Sequence, residues 1–542
     1  MQRLIGLLTL LLGLFVCAAA QAQSGSMIID RSRPDRAPAA TAAVPSTAVA
    51  AGNVRGDPGA VDAFVFQRLE VAGSSLPQAP FADAAKPYVG RKVSRADLIK
   101  LSDAVGGVYA RSDIALYTIL VPQQTFANGV VRVRVVEGYV AAVDLKDQPG
   151  RPPSDLSRLY AEALQAQQPL LKSTLERQLG LMRDIPGAQP DVQILQGDKP
   201  GAVRLAVTPK TRRFEGTLAV NSRGASMLGS TQVELGGHVN SLFREGDRTD
   251  ITFAFPTELE RFQYVGVGHS QRVGKYGTSI AANVGYLRTK PDLNGFDLKG
   301  TAKTAGLTVV HPVLRSNQKN LYATAGLDGL NSDNALFGRQ IGQERTRTFR
   351  VGATYTSQTA TTVATANATL SKGLDALGAR MADPTQSQAD FTKVSGQFTR
   401  AIYGKRYALR LATAGQYTGD RLPASEKFAV GGAQFGRAFA SAVISGDSGY
   451  AASAEFALRR PATAKPLAGS EAYVFADYGQ VTQTSKRSPF RDDEVASVGG
   501  GVRLAVIPKA IVELEAAKAV NDVSSRRGNR PLKLMVNFRS AF

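Results

Sequence analysis

From Arg213 to Phe542 the chain alternates apolar and polar residues in short segments, with turns rich in Gly, Asn, Asp, Ser and Arg between them. The clearest segment is the last, Leu532-Lys-Leu-Met-Val-Asn-Phe-Arg-Ser-Ala-Phe542. It sets Leu532, Leu534, Val536, Phe538 and Phe542 on one face and Lys533, Asn537 and Arg539 on the other. A strand with lipid on one side and water on the other reads this way. No apolar run in the region is long enough to cross a bilayer as a helix. Inside hydrocarbon every backbone polar group must be bonded within the protein, so a chain that crosses on strands has to close into a barrel. About sixteen segments are expected, among them Thr231 to Val239, Asp250 to Pro256, Phe262 to Ser270, Ser279 to Leu287, Leu321 to Leu327, Phe349 to Thr356, Tyr407 to Tyr417, Ala451 to Leu458, Ala472 to Gly479 and Val498 to Val506. Sixteen strands leave a polar lumen, whereas eight would be filled by side chains.

Upstream the period changes. Phe64 to Val71 alternates as a strand, Pro80 to Val89 reads as a short helix, and Ser94-Arg-Ala-Asp97 is a capping box. It opens a helix to Tyr109 with Leu98, Leu101 and Val105 on one face. Strands Tyr117 to Pro122 and Val130 to Val136 follow, the latter with Val131, Val133 and Val135 inward and Arg132 and Arg134 outward. The order strand–helix–helix–strand–strand then recurs: a strand at Val143 to Leu145, a helix at Ser154 to Ala166, a second capping box at Ser173 to Glu176 opening a helix to Ile185, and strands Val192 to Ile194 and Val203 to Val207. The reading is two α+β modules, 63–140 and 141–212, ahead of an all-β membrane domain, 213–542.

The N-terminus supplies an address. Arg3, the apolar run Leu4 to Val16 and Ala20-Gln-Ala22 form a secretory signal peptide over 1–22. Cleavage after Ala22 removes the one cysteine, Cys17, which suits passage through an oxidising compartment. Residues 23–62, rich in Ala, Pro, Ser, Val and Gly, read as a tether. The net charge of +20 does not point to nucleic acid, because the Lys and Arg are spread over strand ends and alternate strand positions. A basic barrel interior, or strand ends meeting anionic lipid, accounts for the excess.

One stretch breaks the alternation. Between Thr418 and Gly449 a long glycine-rich loop holds Lys427-Phe-Ala-Val-Gly-Gly-Ala-Gln-Phe-Gly-Arg-Ala-Phe439 and leads into Gly446-Asp-Ser-Gly-Tyr450. Gly431, Gly432 and Gly436 permit tight turns, and Arg437 stands alone among apolar neighbours. A cation in that setting needs an acid or water, and Phe475-Ala-Asp477 offers an acid on the lumen side of a nearby strand.

At this point the chain resembles the two-partner secretion transporters (TpsB), the haemolysin-activator and filamentous-haemagglutinin exporter family of the POTRA-plus-barrel superfamily. Leu120-Val-Pro-Gln-Gln, Gly129-Val-Val-Arg-Val and Val135-Val-Glu-Gly-Tyr139 are similar to the closing hairpin of that family's first POTRA domain. Val430-Gly-Gly and Gly436-Arg-Ala-Phe439 resemble the tip of its inward sixth loop, usually Val-Arg-Gly-Phe/Tyr, and Phe475-Ala-Asp477 its Phe/Gly-x-Asp motif. Gly436 replaces the usual Val and Ala438 the usual Gly, so a positive φ at 438 would be strained. Family members often carry an N-terminal plug helix; the stretch before Asp62 matches it poorly, Met27 to Arg36 coming nearest.

The resemblance implies two POTRA domains in the periplasm and a 16-stranded barrel in the outer membrane of a Gram-negative bacterium. It implies that the glycine-rich loop, near 420–449, folds inward. It implies a lock between Arg437 and Asp477, no cofactor, and export of a large unfolded exoprotein, whether haemolysin, adhesin or contact-dependent toxin. Phe542, with Phe538, reads as a recognition signal for the barrel-assembly machinery, which periplasmic chaperones would serve during biogenesis. The alternative is a factor that inserts other barrels into the outer membrane. Catalysis is not expected: Gly446-Asp-Ser-Gly449 matches a protease nucleophile motif, but only His238, His269 and His311 exist, each in or beside a strand. Three scattered histidines and no mature cysteine also argue against a metal site.

Overall fold

In the computed structural model the described residues are 53–55 and 63–542, apart from 147–149, 151–153, 293–296, 338, 461–466, 485–491, 508 and 522–531. The signal peptide, Cys17 and the stretch Met27 to Arg36 lie outside them.

Sixteen antiparallel strands close into a barrel, each paired with its sequence neighbours and the first, Phe214–Asn221, with the last, Leu532–Ala541. The closing ladder runs from Thr217 opposite Ala541 to Asn221 opposite Asn537. One step beyond it, Gly216 and Phe542 exchange backbone hydrogen bonds of 2.9 and 3.0 Å. The Phe542 ring lies over Gly216, where a Cβ would come within 2.2 Å of it, so any larger residue there would turn the ring aside. Alternation places side chains as the pattern requires. Leu534 and Val536 are exposed on the outer face, while Met535 between them is buried. Three strands outrun their apolar segments: Leu298–Arg315, Lys319–Leu336 and Arg339–Gln358 have 18, 18 and 20 residues. Backbone pairing continues where the outward side chains have turned polar, at Asn331, Asp333, Arg345 and Arg347, and periodicity of hydrophobicity cannot mark that part. Because the strand number is even, chain entry at Arg213 and the residue Phe542 lie at one end, with the modules. The connection 419–447 is the sixth at the far end.

The first module stacks α1 (Ala79–Ala85) and α2 (Arg95–Arg111) on a four-stranded sheet. Phe66, Phe81, Leu101, Val105, Tyr109, Ile119 and Val131 form its core. Ser94 bonds Asp97 through both its N–H (2.9 Å) and its hydroxyl (2.8 Å), which fixes the start of α2. α1 stops short of the expected Val89 because Pro87 has no N–H to continue it, and a 3₁₀ turn follows. The expected first strand is also broken, into Phe64–Val65 and Arg68–Ala72. Residues 53–55, read from sequence as tether, instead pair in parallel with Thr118 to Leu120. An unpaired sheet edge is a template for any extended segment, and composition gives no sign of it.

The second module repeats the connectivity: Tyr139–Leu145, then α3 (Asp155–Gln165), α4 (Lys172–Arg183) and the pair Asp191–Gln196 and Ala202–Thr208. Its core holds Tyr160, Leu164, Leu170, Leu181 and Leu205. The second capping box does not form. Ser173 gives its N–H and hydroxyl to Asp113 of the first module, at 2.9 and 2.6 Å, and Glu176 accepts the N–H of Asn317 on the barrel. Both residues are diverted from helix capping to inter-domain contacts.

The second module is bolted to the barrel's near-end turns. Glu245 accepts from the N–H groups of Leu156 (2.7 Å) and Ser157 (3.0 Å) and from the Ser157 hydroxyl, capping α3 from another domain. Burial pushes the Glu245 carboxyl up, and those donors pull it back. Arg315 grips Asp184 through Nε (2.8 Å) and a terminal nitrogen (2.9 Å), both side chains being largely buried. Leu181 fills the space above Gly277, where a Cβ would meet it at 2.3 Å.

Arg315→Ala leaves Asp184 as an uncompensated buried charge, and removing one partner of such a pair costs about 3 kcal/mol. Protease should then cut between residues 208 and 214 faster, with the heat-dependent gel shift of the barrel unchanged. Equal cleavage of variant and parent would show that the joint does not depend on this pair.

Candidate functional site

The sixth far-end connection folds back into the barrel. A 3₁₀ turn at Ala424–Glu426 leads into a hairpin of Phe428–Val430 and Ile444–Gly446, whose tip carries the arginine. The tip needs its glycines. Gly431, Gly432 and Gly436 have φ of 120°, 105° and 69°, and a Cβ on Gly431 would lie 2.3 Å from the Ala440 carbonyl oxygen. The positive φ that the resemblance assigns to position 438 falls on Gly436, so Ala438 carries no such strain. Val430, Phe435, Ala438, Phe439 and Ile444 pack against Tyr473, Phe475, Val495, Ala517 and Met535 of the inner wall. The loop is therefore seated by apolar contact as well as by charge.

Arg437 and Asp477 are brought together, but not as a simple pair. The Asp477 carboxylate accepts the N–H of Gly436 at 2.8 Å, that of Arg437 at 3.4 Å, and the Ser497 hydroxyl at 2.6 Å. Its closest approach to the guanidinium is 3.9 Å, at Nε. The Arg437 guanidinium turns to Glu455 (2.9 Å) and Glu515 (3.4 Å) and lies over the Phe475 ring, 4.1 Å from its centroid. Asp477 thus holds the backbone of the tip, and the glutamates hold its cation. Phe439 is buried, and its carbonyl accepts from Lys533 at 3.2 Å.

Around this contact runs a connected ion network. Arg223 bonds Glu515 (2.9 Å); Arg503 bonds Glu455 (2.6 Å), Glu471 (2.9 Å) and Glu513 (2.8 Å); Arg410 bonds Glu455 (2.9 Å) and Glu471 (2.7 Å). Four guanidinium groups, Arg437 included, thus face four glutamates. Tyr473 donates to Glu515 at 2.7 Å and lies beneath Arg503. Sequence reasoning passed over these residues. Their one signal was a glutamate in the inward phase of a strand, as in Ser453-Ala-Glu455.

A second mooring holds the root of the loop to another wall. Glu426 is met by Arg350 at 2.6 Å and Lys393 at 2.8 Å, and Arg350 also binds Asp328 at 2.8 Å. Glu344 accepts the Ser425 hydroxyl at 3.0 Å. The Gly-Asp-Ser-Gly turn completes the root: Asp447 accepts the N–H groups of Leu422 (2.9 Å) and Thr484 (2.7 Å). The histidines are engaged elsewhere, His238 with Asp250, His269 with Thr249 and His311 with Thr278. Phe538 lies in the outward phase opposite Val220 and Val512, away from the lumen.

Residues 201–504 match the family model "Haemolysin secretion/activation protein ShlB/FhaC/HecB", and residues 64–138 match "POTRA domain, ShlB-type". The heme/hemopexin transporter protein HuxB of Haemophilus influenzae strain 86-028NP is 22% identical over 460 residues, 81% of this chain and 80% of that protein. In fold, the chain is similar to CdiB from Escherichia coli (TM-score 0.73, 17% identity, 97% and 98% of the two chains). CdiB from Acinetobacter baumannii follows at 0.62, with 15% identity and coverage of 89% and 91%. BamA from Haemophilus ducreyi lacking POTRA domains 1–3 gives 0.55, with 14% identity and coverage of 89% and 100%.

Glu426→Gln removes the charge that neutralises Lys393 and half of that facing Arg350, weakening the root by up to about 3 kcal/mol. Single-channel recordings in planar bilayers should show higher and noisier conductance than the parent. Traces indistinguishable from the parent would mean that the root is held by packing alone.

Proposed function

Because this chain belongs to the haemolysin secretion/activation protein family ShlB/FhaC/HecB, an outer-membrane transporter family whose members export a partner protein, we propose how its parts divide that work. The two modules, read as POTRA domains of the periplasm, capture an unfolded signal-bearing segment of a large secreted exoprotein, whether haemolysin, adhesin or contact-dependent toxin. Capture uses β-augmentation, in which an extended peptide adds to a sheet edge and gains backbone hydrogen bonds. The segment passes up the barrel, and folding outside the cell makes the passage directional without hydrolysis.

The observation that carries this reading is a lumen occupied by a loop held on charge clusters, above a second module fastened to the barrel's near-end turns. Packing and charge together make the inward loop a defined state, and release of Arg437 is the event that opens the path. Phe542 and Phe538 serve biogenesis, as the signal that the barrel-assembly machinery reads after periplasmic chaperones deliver the chain.

Arg437→Ala and Asp477→Ala should both lower secretion of the partner, measured in culture supernatant, while heat-modifiable barrel accumulates normally. Full export by both variants would sink the lock. Deletion of residues 64–139 should abolish co-purification of the partner from periplasmic extract; undiminished recovery would overturn capture by the first module.

A further inference from the structure

Five basic side chains stand outside ion pairs on the lipid-facing wall at the far end of the barrel, Arg288, Lys303, Arg345, Arg347 and Lys372, while a sixth, Lys299, is paired with Asp297 at 2.9 Å. Strand register sets their phase. Lys303 is opposite Tyr286 on one side and Asn331 on the other, and Asn331 is opposite Arg345. Lys372 is opposite Phe349, whose outward phase Arg345 and Arg347 share. Phe349, Tyr286 and Val284 are 44%, 40% and 58% exposed, so this is the outer face, and Arg288 lies in phase with the last two. Nearer the modules, two outward positions from Lys303 and Arg347, come Leu307 and Val351, with Leu327 opposite Leu307 and Val309 one outward position further, all apolar and exposed.

These charges have not been spent within the protein. Among the described residues none of the five stands in an ion pair. Arg347 donates to the carbonyl oxygens of Leu377 (3.1 Å), Leu330 (3.4 Å) and Thr346 (2.7 Å). Lys372 donates to the Asp390 carbonyl (2.8 Å) and the Thr392 hydroxyl (3.2 Å), and Arg345 Nε has no partner. Asp333, an acid on this wall, is taken by the amides of Gln340 and Gln343. The wall on the other side of the barrel presents Tyr417, Tyr450, Tyr478 and Glu494 at the same end, with Lys518 among them. Among the described strand residues, the outward positive charge at this end is thus concentrated on one wall.

We propose that this wall is a binding site for the phosphorylated glycolipid of the outer leaflet. Its phosphates are held by Lys303, Arg345, Arg347 and Lys372, and its acyl chains run along the apolar strip below. A cation cluster directly above an exposed apolar strip matches an anionic headgroup above its chains. The far end faces outward in an outer-membrane transporter whose modules are periplasmic, which selects the glycolipid of that leaflet over the phospholipid of the inner one.

The test uses the full chain in phosphatidylcholine nanodiscs doped with bisphosphorylated lipid A, with dephosphorylated lipid A, or with phosphatidylglycerol, and bound lipid is read by native mass spectrometry. The parent should retain bisphosphorylated lipid A over both others. Removing charge by Lys303→Ser, Arg345→Ser, Arg347→Ser and Lys372→Ser should reduce retention about fivefold for each residue changed, and Lys518→Ser should leave it unchanged. Arg345→Lys with Arg347→Lys keeps the charge and should keep most of the binding, which separates lost charge from a damaged barrel. Equal retention of the three lipids by the parent overturns the proposal, as does undiminished lipid A binding by the four-serine variant.

Discussion

A charge taken out of water has to be answered, and the position of the inward loop follows from that constraint. Arg437 sits in the barrel interior, where burial without a partner is costly. It finds Glu455 and Glu515 beside it and the face of Phe475 beneath. Those glutamates are in turn answered by Arg223, Arg410 and Arg503. Take the tip away and the glutamates lose a cation while the wall exposes apolar surface. The loop and its bed are therefore one construction, in which each makes the other's burial tolerable.

The same logic recurs at the joints. Asp113 caps a helix of the second module, Glu245 caps another from the barrel, and Asp184 and Arg315 neutralise each other across the interface. In each case a polar group that would ordinarily be satisfied within its own domain is satisfied by the next. The second module consequently sits on the near-end turns in a defined orientation, with the first module fixed to it.

Much of this was legible in the chain. Period-two alternation located the barrel, the recurrence of strand–helix–helix–strand–strand located the modules, and one arginine among glycines located the loop. What escaped was whatever depends on register. Alternation says that Glu455 faces inward, but not that it lies opposite Phe475 and within reach of Arg437. Ser173-Thr-Leu-Glu176 has the spacing of a cap, yet its groups are claimed by Asp113 and Asn317, residues distant in sequence and brought near by folding. Residues 53–55 look like linker because backbone pairing along a parallel edge leaves no mark on composition.

The loop's two moorings lie on different walls: the root through Glu426 on strands Lys319–Leu336, Arg339–Gln358 and Thr392–Tyr403, the tip on strands between Ser448 and Ala541. A segment fixed at both ends across a tube is a brace. Any force that widens or ovalises the tube stretches the brace and loads both clusters together. Bore width and gate position then become a single mechanical coordinate, so a chain pressing the walls apart would itself do part of the work of unlatching.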